Sequence, residues 1–136
     1  MLVREIMKRD IASIDGESTI YEACKIYKDL KVGSLLITLN KALVGIVTGR
    51  DFIERAMCEV LDIQKIKVKN IMSTDIKTVD PSENIDRALE IMKNNKIKKL
   101  PVVQKNELVG IITITDIAYS RPNIKNFLDI NKITID

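Results

Sequence analysis

One stretch of nine residues occurs twice in this chain, and the repeat restricts the fold more than any other feature. The first copy reads LVGIVTGRD over residues 43–51, and the second reads LVGIITITD over residues 108–116. At the same offset, residues 3–52 and 68–117 align without a gap and share 18 identities in 50 positions. Such self-similarity indicates a duplicated supersecondary unit, so the chain must adopt a fold that two similar halves can build.

Each copy predicts the same order of elements: a short helical lead-in, a strand, a helix, a hairpin of two strands and a last helix. Apolar residues at helical spacing follow Thr19 and Asn84, which are good N-cap types. The predicted first strands are 11–14 and 76–79, and the hairpins are 35–38 with 43–48 and 100–103 with 108–113. This order predicts an α+β fold of small mixed sheets packed against helices.

The last helices differ between the copies. An apolar stripe from Phe52 to Leu61 predicts about three helical turns in the first copy. Pro122 should stop or kink the helix in the second copy. A repeat of about 65 residues is marginal alone, so we predict that the two repeats share one core and that 1–66 expressed alone does not fold.

Composition predicts a soluble globular protein, with 46% apolar and 30% charged residues in a chain of 136. No apolar run is long enough to span a membrane, and the N-terminus lacks the pattern of a signal peptide, so we expect a cytoplasmic protein without a membrane partner. The net charge is only +3 and aromatic residues make up 4%, so we expect nucleic-acid binding to be weak and non-specific.

The residues that most enzymes and zinc sites need are scarce here. The chain has no histidine, and its two cysteines, Cys24 and Cys58, lie in apolar helical patterns that predict small core residues. Neither a Walker loop nor a nucleophile elbow occurs. We therefore predict that the protein is not an enzyme and holds no metal.

The Thr-x-x-Asp that ends each nine-residue copy has two interpretations. It can be a capping box, in which the Thr oxygen accepts an N–H of the first helical turn and the acid bonds back. Alternatively, the Asp can grip a ribose diol while the adjacent helix N-terminus favours a phosphate. The repetition of the preceding strand with the motif favours the second interpretation, because a cap alone does not require that strand.

Other charged residues also have two interpretations. Lys93, Lys96, Lys98 and Lys99 are either a solvated helix face or a phosphate-binding cluster. Asp10 and Asp75 precede the first strands and are favoured as turn formers.

The tandem order of elements, the doubled Gly-Ile-x-Thr-x-x-Asp and the Lys-Leu-Pro-Val segment at 99–102 together resemble a pair of CBS (cystathionine β-synthase) domains, or Bateman module. The resemblance covers residues 1–120. It implies a first CBS repeat with linker over 1–66, a second repeat over 67–121 and a C-terminal tail over 122–136. It also implies a pseudo-twofold between the repeats and two clefts that bind adenosine compounds.

The resemblance assigns two sets of ligand-binding residues. The main cleft would use Asp10, Ala12, Val32, Lys98, Lys99, Ile111, Thr113 and Asp116. The second cleft would use Ile46, Thr48, Arg50, Asp51, Asp75, Lys77 and Ile97. In both, the Thr would lie near phosphate and the Asp on the ribose. The second cleft departs from the family pattern, because Gly33-Ser34 replaces the Lys pair and Lys77 replaces a small residue.

The resemblance therefore implies a regulatory, energy-sensing module that binds AMP, ADP or ATP, forms a homodimer and acts on an effector protein in trans. The alternatives are a sensor of S-adenosylmethionine-type ligands, or a ligand-free interaction or nucleic-acid-binding CBS protein. The apolar residues of the tail, among them Ile124, Phe127 and Leu128, predict that it packs on the domain or on a partner.

Overall fold

The computed structural model describes residues 1–121, and it has an α+β fold in which the second copy departs from the predicted order of elements only at its first strand. Pro122 and the tail at 122–136 lie outside the described residues. The elements are α1 Val3–Ile6, β1 Ser13–Asp15, α2 Ile20–Leu30, β2 Ser34–Leu39, β3 Ala42–Thr48, α3 Gly49–Asp51 continued by a π-helix Phe52–Met57, a 3-10 turn Val68–Asn70, α4 Ile85–Asn95, β4 Lys99–Gln104, β5 Glu107–Thr113 and α5 Ile114–Ser120.

The described chain forms two compact units, and each unit contains the lead-in of the other repeat. We name each unit after the aspartate of its Thr-x-x-Asp turn. The Asp51 unit comprises Ile11–Ile76 and Asn106–Leu108. The described residues of the Asp116 unit are Met1–Asp10, Lys77–Lys105 and 109–121. The lead-in at 68–75 therefore packs with the body of the first repeat, and the lead-in at 3–10 packs with the body of the second.

In the Asp51 unit, β1 runs parallel to β2, and β2 runs antiparallel to β3. The lead-in joins this sheet through Ser73, which exchanges backbone hydrogen bonds of 2.9 and 2.8 Å with Ile46. The buried core of the unit consists of Ile14, Ile20, Ala23, Leu35, Ile37, Val47, Ala56, Val68 and Ile71.

In the Asp116 unit, the predicted strand at 76–79 is reduced to a single parallel bridge between Val79 and Val102. This bridge is the counterpart of the Ile14–Ile37 pair in the other unit. The lead-in again joins the last strand, because Lys8 exchanges backbone hydrogen bonds of 2.8 and 2.9 Å with Ile111. The buried core consists of Val3, Val79, Ile85, Ala88, Leu89, Met92, Leu100, Val102, Ile112, Ile114 and Ile117.

These cores correct the prediction of one core shared by both repeats. Buried apolar residues form one cluster in each unit, and each cluster includes the lead-in valine of the other repeat, Val3 or Val68. Exchange of the lead-ins explains how each short repeat completes a core, because each contributes fully buried side chains to the other.

The predicted helix starts are confirmed. Thr19 Oγ1 accepts a hydrogen bond of 3.1 Å from Glu22 N, and Asn84 Oδ1 accepts one of 2.9 Å from Asp86 N. These side chains satisfy backbone donors that have no partner within the first helical turn. Both long helices therefore begin at the equivalent residues that the repeat predicts.

The segment after Asp51 differs from the prediction. It is a π-helix over Phe52–Met57, with Cys58 N bonded to Ile53 O at 2.8 Å, rather than three α-helical turns. The wider turn moves later residues off the predicted apolar face, which leaves Met57 71% and Val60 88% exposed. For the same reason Cys58 is exposed, so its assignment to the core was wrong, whereas Cys24 is half-buried and its pKa is raised by burial.

Within residues 1–121, no helix combines the length and the apolar character that crossing a bilayer requires.

An ion-pair cluster in the Asp51 unit ties the residues around the lead-in to the turn before α2. Glu17 pairs with Lys67, and its Oε1 accepts a hydrogen bond of 2.6 Å from Lys69 Nζ. The hydrogen bond from Lys67, followed by that from Lys69, lowers the pKa of Glu17 from its usual 4.5 to about 2. A carboxyl with a lowered pKa stabilises the fold while it is ionised, so its contribution is lost as the pH falls from about 4.5 toward 2.

We therefore expect Glu17→Gln to lower the urea midpoint at neutral pH and to have little effect near pH 2, where the wild-type carboxyl is itself becoming protonated. The control is Glu59→Gln, which removes an exposed carboxylate of the same unit. A loss of stability in Glu17→Gln that is equally large at both pH values would contradict the assignment.

Candidate functional site

The Thr113–Asp116 turn lies where β5 ends and α5 begins. Asp116 Oδ2 accepts a hydrogen bond of 3.0 Å from Thr113 N, and Asp116 N donates one of 3.1 Å to Thr113 Oγ1. This reciprocal pair is a capping box, so the first interpretation of the motif is confirmed.

The Thr48–Asp51 turn repeats this arrangement in the other unit. Thr48 donates to Asp51 Oδ2 both from its backbone N, at 2.8 Å, and from Oγ1, at 3.1 Å. Asp51 N lies 3.3 Å from Thr48 Oγ1. The first copy of the motif therefore also forms a capping box.

Capping occupies only one oxygen of each carboxylate. The other oxygen, Oδ1, faces a cation: Lys8 Nζ at 3.5 Å from Asp116, and Arg55 Nε at 3.5 Å from Asp51. The two carboxylate side chains are 9% and 15% exposed. Each turn thus holds a largely buried carboxylate beside a positive charge, a chemistry that also suits sugar hydroxyls.

Neither cation was predicted from the sequence. Arg55 follows Asp51 by four residues, a spacing that places two side chains on one helix face and was readable from the sequence. Lys8 had no such signal, because it reaches Asp116 only after its lead-in packs on β5.

The recurring glycine of the motif is explained by the lead-ins. A Cβ on Gly110 would lie 2.6 Å from Met7 Sδ and 3.0 Å from the carbonyl oxygen of Lys8. A Cβ on Gly45 would likewise collide with Met72, which is the counterpart of Met7. Glycine therefore permits the close approach that brings Lys8 to the Asp116 turn.

The lysine pair lies beside the Asp116 turn. The Lys98 carbonyl oxygen accepts a hydrogen bond of 3.0 Å from Ile114 N, which fixes Lys98 and Lys99 next to the first residue of α5. Both lysines are exposed. In the other unit, Arg50 is also exposed, and its hydrogen bond and ion pair with Glu54 raise its pKa.

The two units divide the predicted residue sets. Of the main set, the Asp116 unit contains Asp10, Lys98, Lys99, Ile111, Thr113 and Asp116, whereas Ala12 and Val32 belong to the Asp51 unit. Of the second set, the Asp51 unit contains Ile46, Thr48, Arg50, Asp51 and Asp75, whereas Lys77 and Ile97 belong to the Asp116 unit. Most of each predicted set therefore lies in the same unit as its Thr-x-x-Asp turn.

Metal binding has no support in the part of the chain that the structure describes. Within residues 1–121, no three Cys, Asp or Glu side chains come together in a group that could hold a metal ion.

Comparison with protein families gives one matching description. A model of the CBS domain matches residues 3–57 and 68–122, which include both Thr-x-x-Asp turns. The CBS domain-containing protein YhcV of Bacillus subtilis is 30% identical over 119 residues, covering 88% of this chain and 84% of that protein.

Two further relatives bear on function. An inosine-5'-monophosphate dehydrogenase of Korarchaeum cryptofilum is 35% identical over 114 residues, which cover 82% of this chain but only 22% of the enzyme. The structure of the CBS domain protein PAE2072 from Pyrobaculum aerophilum, complexed with AMP, has a TM-score of 0.74 and 27% identity, covering 95% of this chain and 99% of that one.

Proposed function

This chain belongs to the CBS domain family and carries the domain twice, and on that premise we propose that it is a non-catalytic sensor of adenosine nucleotides. AMP, ADP and ATP are the candidate ligands. The dehydrogenase match does not argue for catalysis, since it concerns about a fifth of that enzyme. The AMP complex of the Pyrobaculum protein supports the choice of ligand class.

The observation that carries the proposal is the carboxylate of Asp116. Its Oδ2 accepts one hydrogen bond from the Thr113 backbone, and its Oδ1 faces a lysine that is 64% exposed. Ribose hydroxyls can therefore reach acceptor positions on both oxygens once the lysine swings away. The capping box then serves binding, because it holds the carboxylate in one orientation before the ligand arrives.

The surrounding residues supply the rest of the proposed site. Lys98 and Lys99 lie beside the turn and carry charge that suits a phosphate. Ile111 is half-buried at the end of β5 and offers an apolar surface to the adenine, and Asp10 lies two residues after Lys8 in the lead-in. Lysine lacks the planar fork of arginine, so we expect it to act on the phosphate as a point charge.

Thermal unfolding of the full chain with a panel of ligands tests the proposal. The panel contains adenosine, AMP, ADP, ATP, S-adenosylmethionine and single-stranded RNA, each at equal concentration. A ligand that binds only the folded state raises Tm. We expect the adenosine nucleotides to raise Tm most and adenosine to raise it less, because it lacks the phosphate. A shift only with S-adenosylmethionine, or only with RNA, would favour one of the alternatives.

Regulation through a separate protein is the second part of the proposal. The proposed site combines a capped carboxylate with two exposed lysines, and we propose that it holds its ligand without converting it. Binding can then act only by changing the affinity for another molecule, and that coupling is reciprocal. An effector protein that binds this chain is therefore expected to change the affinity of the chain for nucleotide by the same factor as nucleotide changes the affinity of the chain for the effector.

We also propose a homodimer that forms through the π-helix. Ile53, Met57 and Val60 are 53%, 71% and 88% exposed, and Met57 and Val60 line an apolar cavity of about 320 Å³. Exposed apolar groups of this size commonly mark an association surface. We expect Met57→Glu to shift the chain toward monomer in sedimentation, whereas Tyr119→Glu, at an exposed large side chain of the other unit, should not. A wild-type chain that stays monomeric at micromolar concentration would contradict the homodimer.

A further inference from the structure

The two Thr-x-x-Asp turns obtain their cations from different elements. Lys8 comes from a lead-in, whereas Arg55 follows Asp51 by one turn of the same helix. The repeat places Ser73 at the position equivalent to Lys8 and Ser120 at the position equivalent to Arg55. The Asp116 turn therefore has a cation from the lead-in and a serine in its helix, whereas the Asp51 turn has a serine in the lead-in and a cation in its helix.

Arg55 is held more firmly than Lys8. Its Nη1 donates to the carbonyl oxygens of Ile71 at 3.3 Å and Met72 at 3.0 Å, while its Nε faces Asp51. Moving this guanidinium away would cost both carbonyls their side-chain donor. Lys8 approaches Asp116 at 3.5 Å from a side chain that is 64% exposed. A flexible, hydrated lysine leaves such a pair more readily than a planar arginine held by several acceptors.

The carboxylates also differ in how many acceptor positions the turn consumes. Thr48 donates two hydrogen bonds to Asp51 Oδ2, which fill the two lone pairs of that oxygen. Thr113 donates one hydrogen bond to Asp116 Oδ2. Two ribose hydroxyls would therefore find more acceptor capacity at Asp116 than at Asp51.

The two turns also differ in the geometry of the helix that begins at each of them. Arg55 lies within the π-helix Phe52–Met57, whereas its counterpart Ser120 is the last residue of the ordinary α-helix α5. Short π-helical insertions occur frequently at functional sites, where they reposition a side chain. The π-helix and Arg55 thus occur together at the turn whose carboxylate accepts two hydrogen bonds on Oδ2 and faces a guanidinium with Oδ1.

We propose that Arg55 is a specificity-determining residue that locks the Asp51 carboxylate and keeps it from binding a ribose, so that the chain takes its adenosine ligand at Asp116 alone. This inference rests on the proposed function. Its chemical content is a competition for Asp51 Oδ1 between the fixed guanidinium and a sugar hydroxyl. The arginine excludes the sugar hydroxyl, because its guanidinium is already in place and donates hydrogen bonds to two backbone carbonyls.

Calorimetric titration of the full chain with AMP and with adenosine tests the lock. Arg55→Gln removes the charge and retains an amide that can donate to a carbonyl. We expect wild type to bind one ligand per chain and Arg55→Gln to gain a second site, at least about tenfold tighter than any second event in wild type. The control Lys65→Gln removes an exposed positive charge from the same unit and should leave the stoichiometry unchanged.

The mirror variant tests the same idea in the other unit. Ser120→Arg places a guanidinium one turn after Asp116, where Ile6 and Met7 correspond to Ile71 and Met72. We expect it to weaken AMP binding at least about tenfold. Ser120→Ala, which removes only the hydrogen bond from Ser120 Oγ to the Ile117 carbonyl oxygen, should weaken it little. The comparison of Ser120→Arg with Ser120→Ala still tests the lock if Arg55→Gln does not fold.

The outcomes separate the lock from the proposed function. Wild-type binding with unchanged stoichiometry in Arg55→Gln and unchanged affinity in Ser120→Arg would refute the lock alone. Two equal sites in wild type would do the same. An absence of binding in every variant would refute both. Binding that emerges only in Arg55→Gln would support the lock on Asp51 but refute binding of the ligand at Asp116.

Discussion

Replacing Asp116 with asparagine should weaken AMP binding about a hundredfold while leaving the fold nearly as stable as before. Asparagine keeps one oxygen, which can still accept the hydrogen bond from Thr113 N. It loses the charge and presents an NH2 group where the second ribose hydroxyl needs an acceptor. Two charge-assisted hydrogen bonds weaken together, and at roughly 1.5 kcal/mol each they amount to about 3 kcal/mol.

The stability of the same variant separates a binding site from a cap. The Lys8 pair is exposed on its lysine side, so its loss together with a weakened cap should cost about 1 kcal/mol or less. Asp51→Asn is the matched variant, since it changes the same atoms in the other copy. It should have little effect on the tightest binding event. Wild-type affinity in Asp116→Asn would mean that the motif serves only as a helix cap.

The second large effect concerns two fragments of equal length. Fragment 1–66 contains the first repeat of the sequence, whereas fragment 11–76 contains most of the Asp51 unit. We expect 1–66 to be unfolded or to aggregate, and 11–76 to unfold cooperatively in urea. The reason is Val68 and Ile71, which are 0% and 2% exposed in the core of that unit and are absent from 1–66.

The two fragments should differ in their free energy of unfolding by about as much as the whole stability of a small domain. Burial of Val68 and Ile71 contributes roughly 3 to 6 kcal/mol together, and a core of this size supplies about 3 to 5 kcal/mol in total. Circular dichroism and urea titration of both fragments at equal concentration measure it. Cooperative unfolding of 1–66 with a midpoint at or above that of 11–76 would contradict the exchange of lead-ins.

Much of this fold could be predicted because the signals are local and occur twice. The caps at Thr19 and Asn84 depend on residues within one helical turn, and their hydrogen bonds match the prediction. The capping boxes at Thr113 and Thr48 were likewise readable from a three-residue spacing. Duplication strengthened each of these predictions, since a chance pattern rarely recurs at a fixed offset.

The features that the sequence did not predict depend on contacts between distant residues. Each lead-in packs with the body of the other repeat, and only the folded chain reveals that Lys8 meets Asp116. The π-helix also escaped prediction, because the apolar spacing from Phe52 to Leu61 fits an α-helix equally well. The strand predicted at 76–79 paired only at Val79, since alternation alone does not secure a partner along its whole length.

We propose that the Thr113–Asp116 turn holds the ribose of an adenosine nucleotide. Amide NMR spectra of the uniformly 15N-labelled full chain, recorded during a titration with AMP, test it most directly. We predict saturable shifts that centre on Thr113, Ile114 and Asp116, with smaller shifts at Thr48 and Asp51. Spectra that do not change at saturating AMP, or shifts that bypass residues 113–116, would contradict the account.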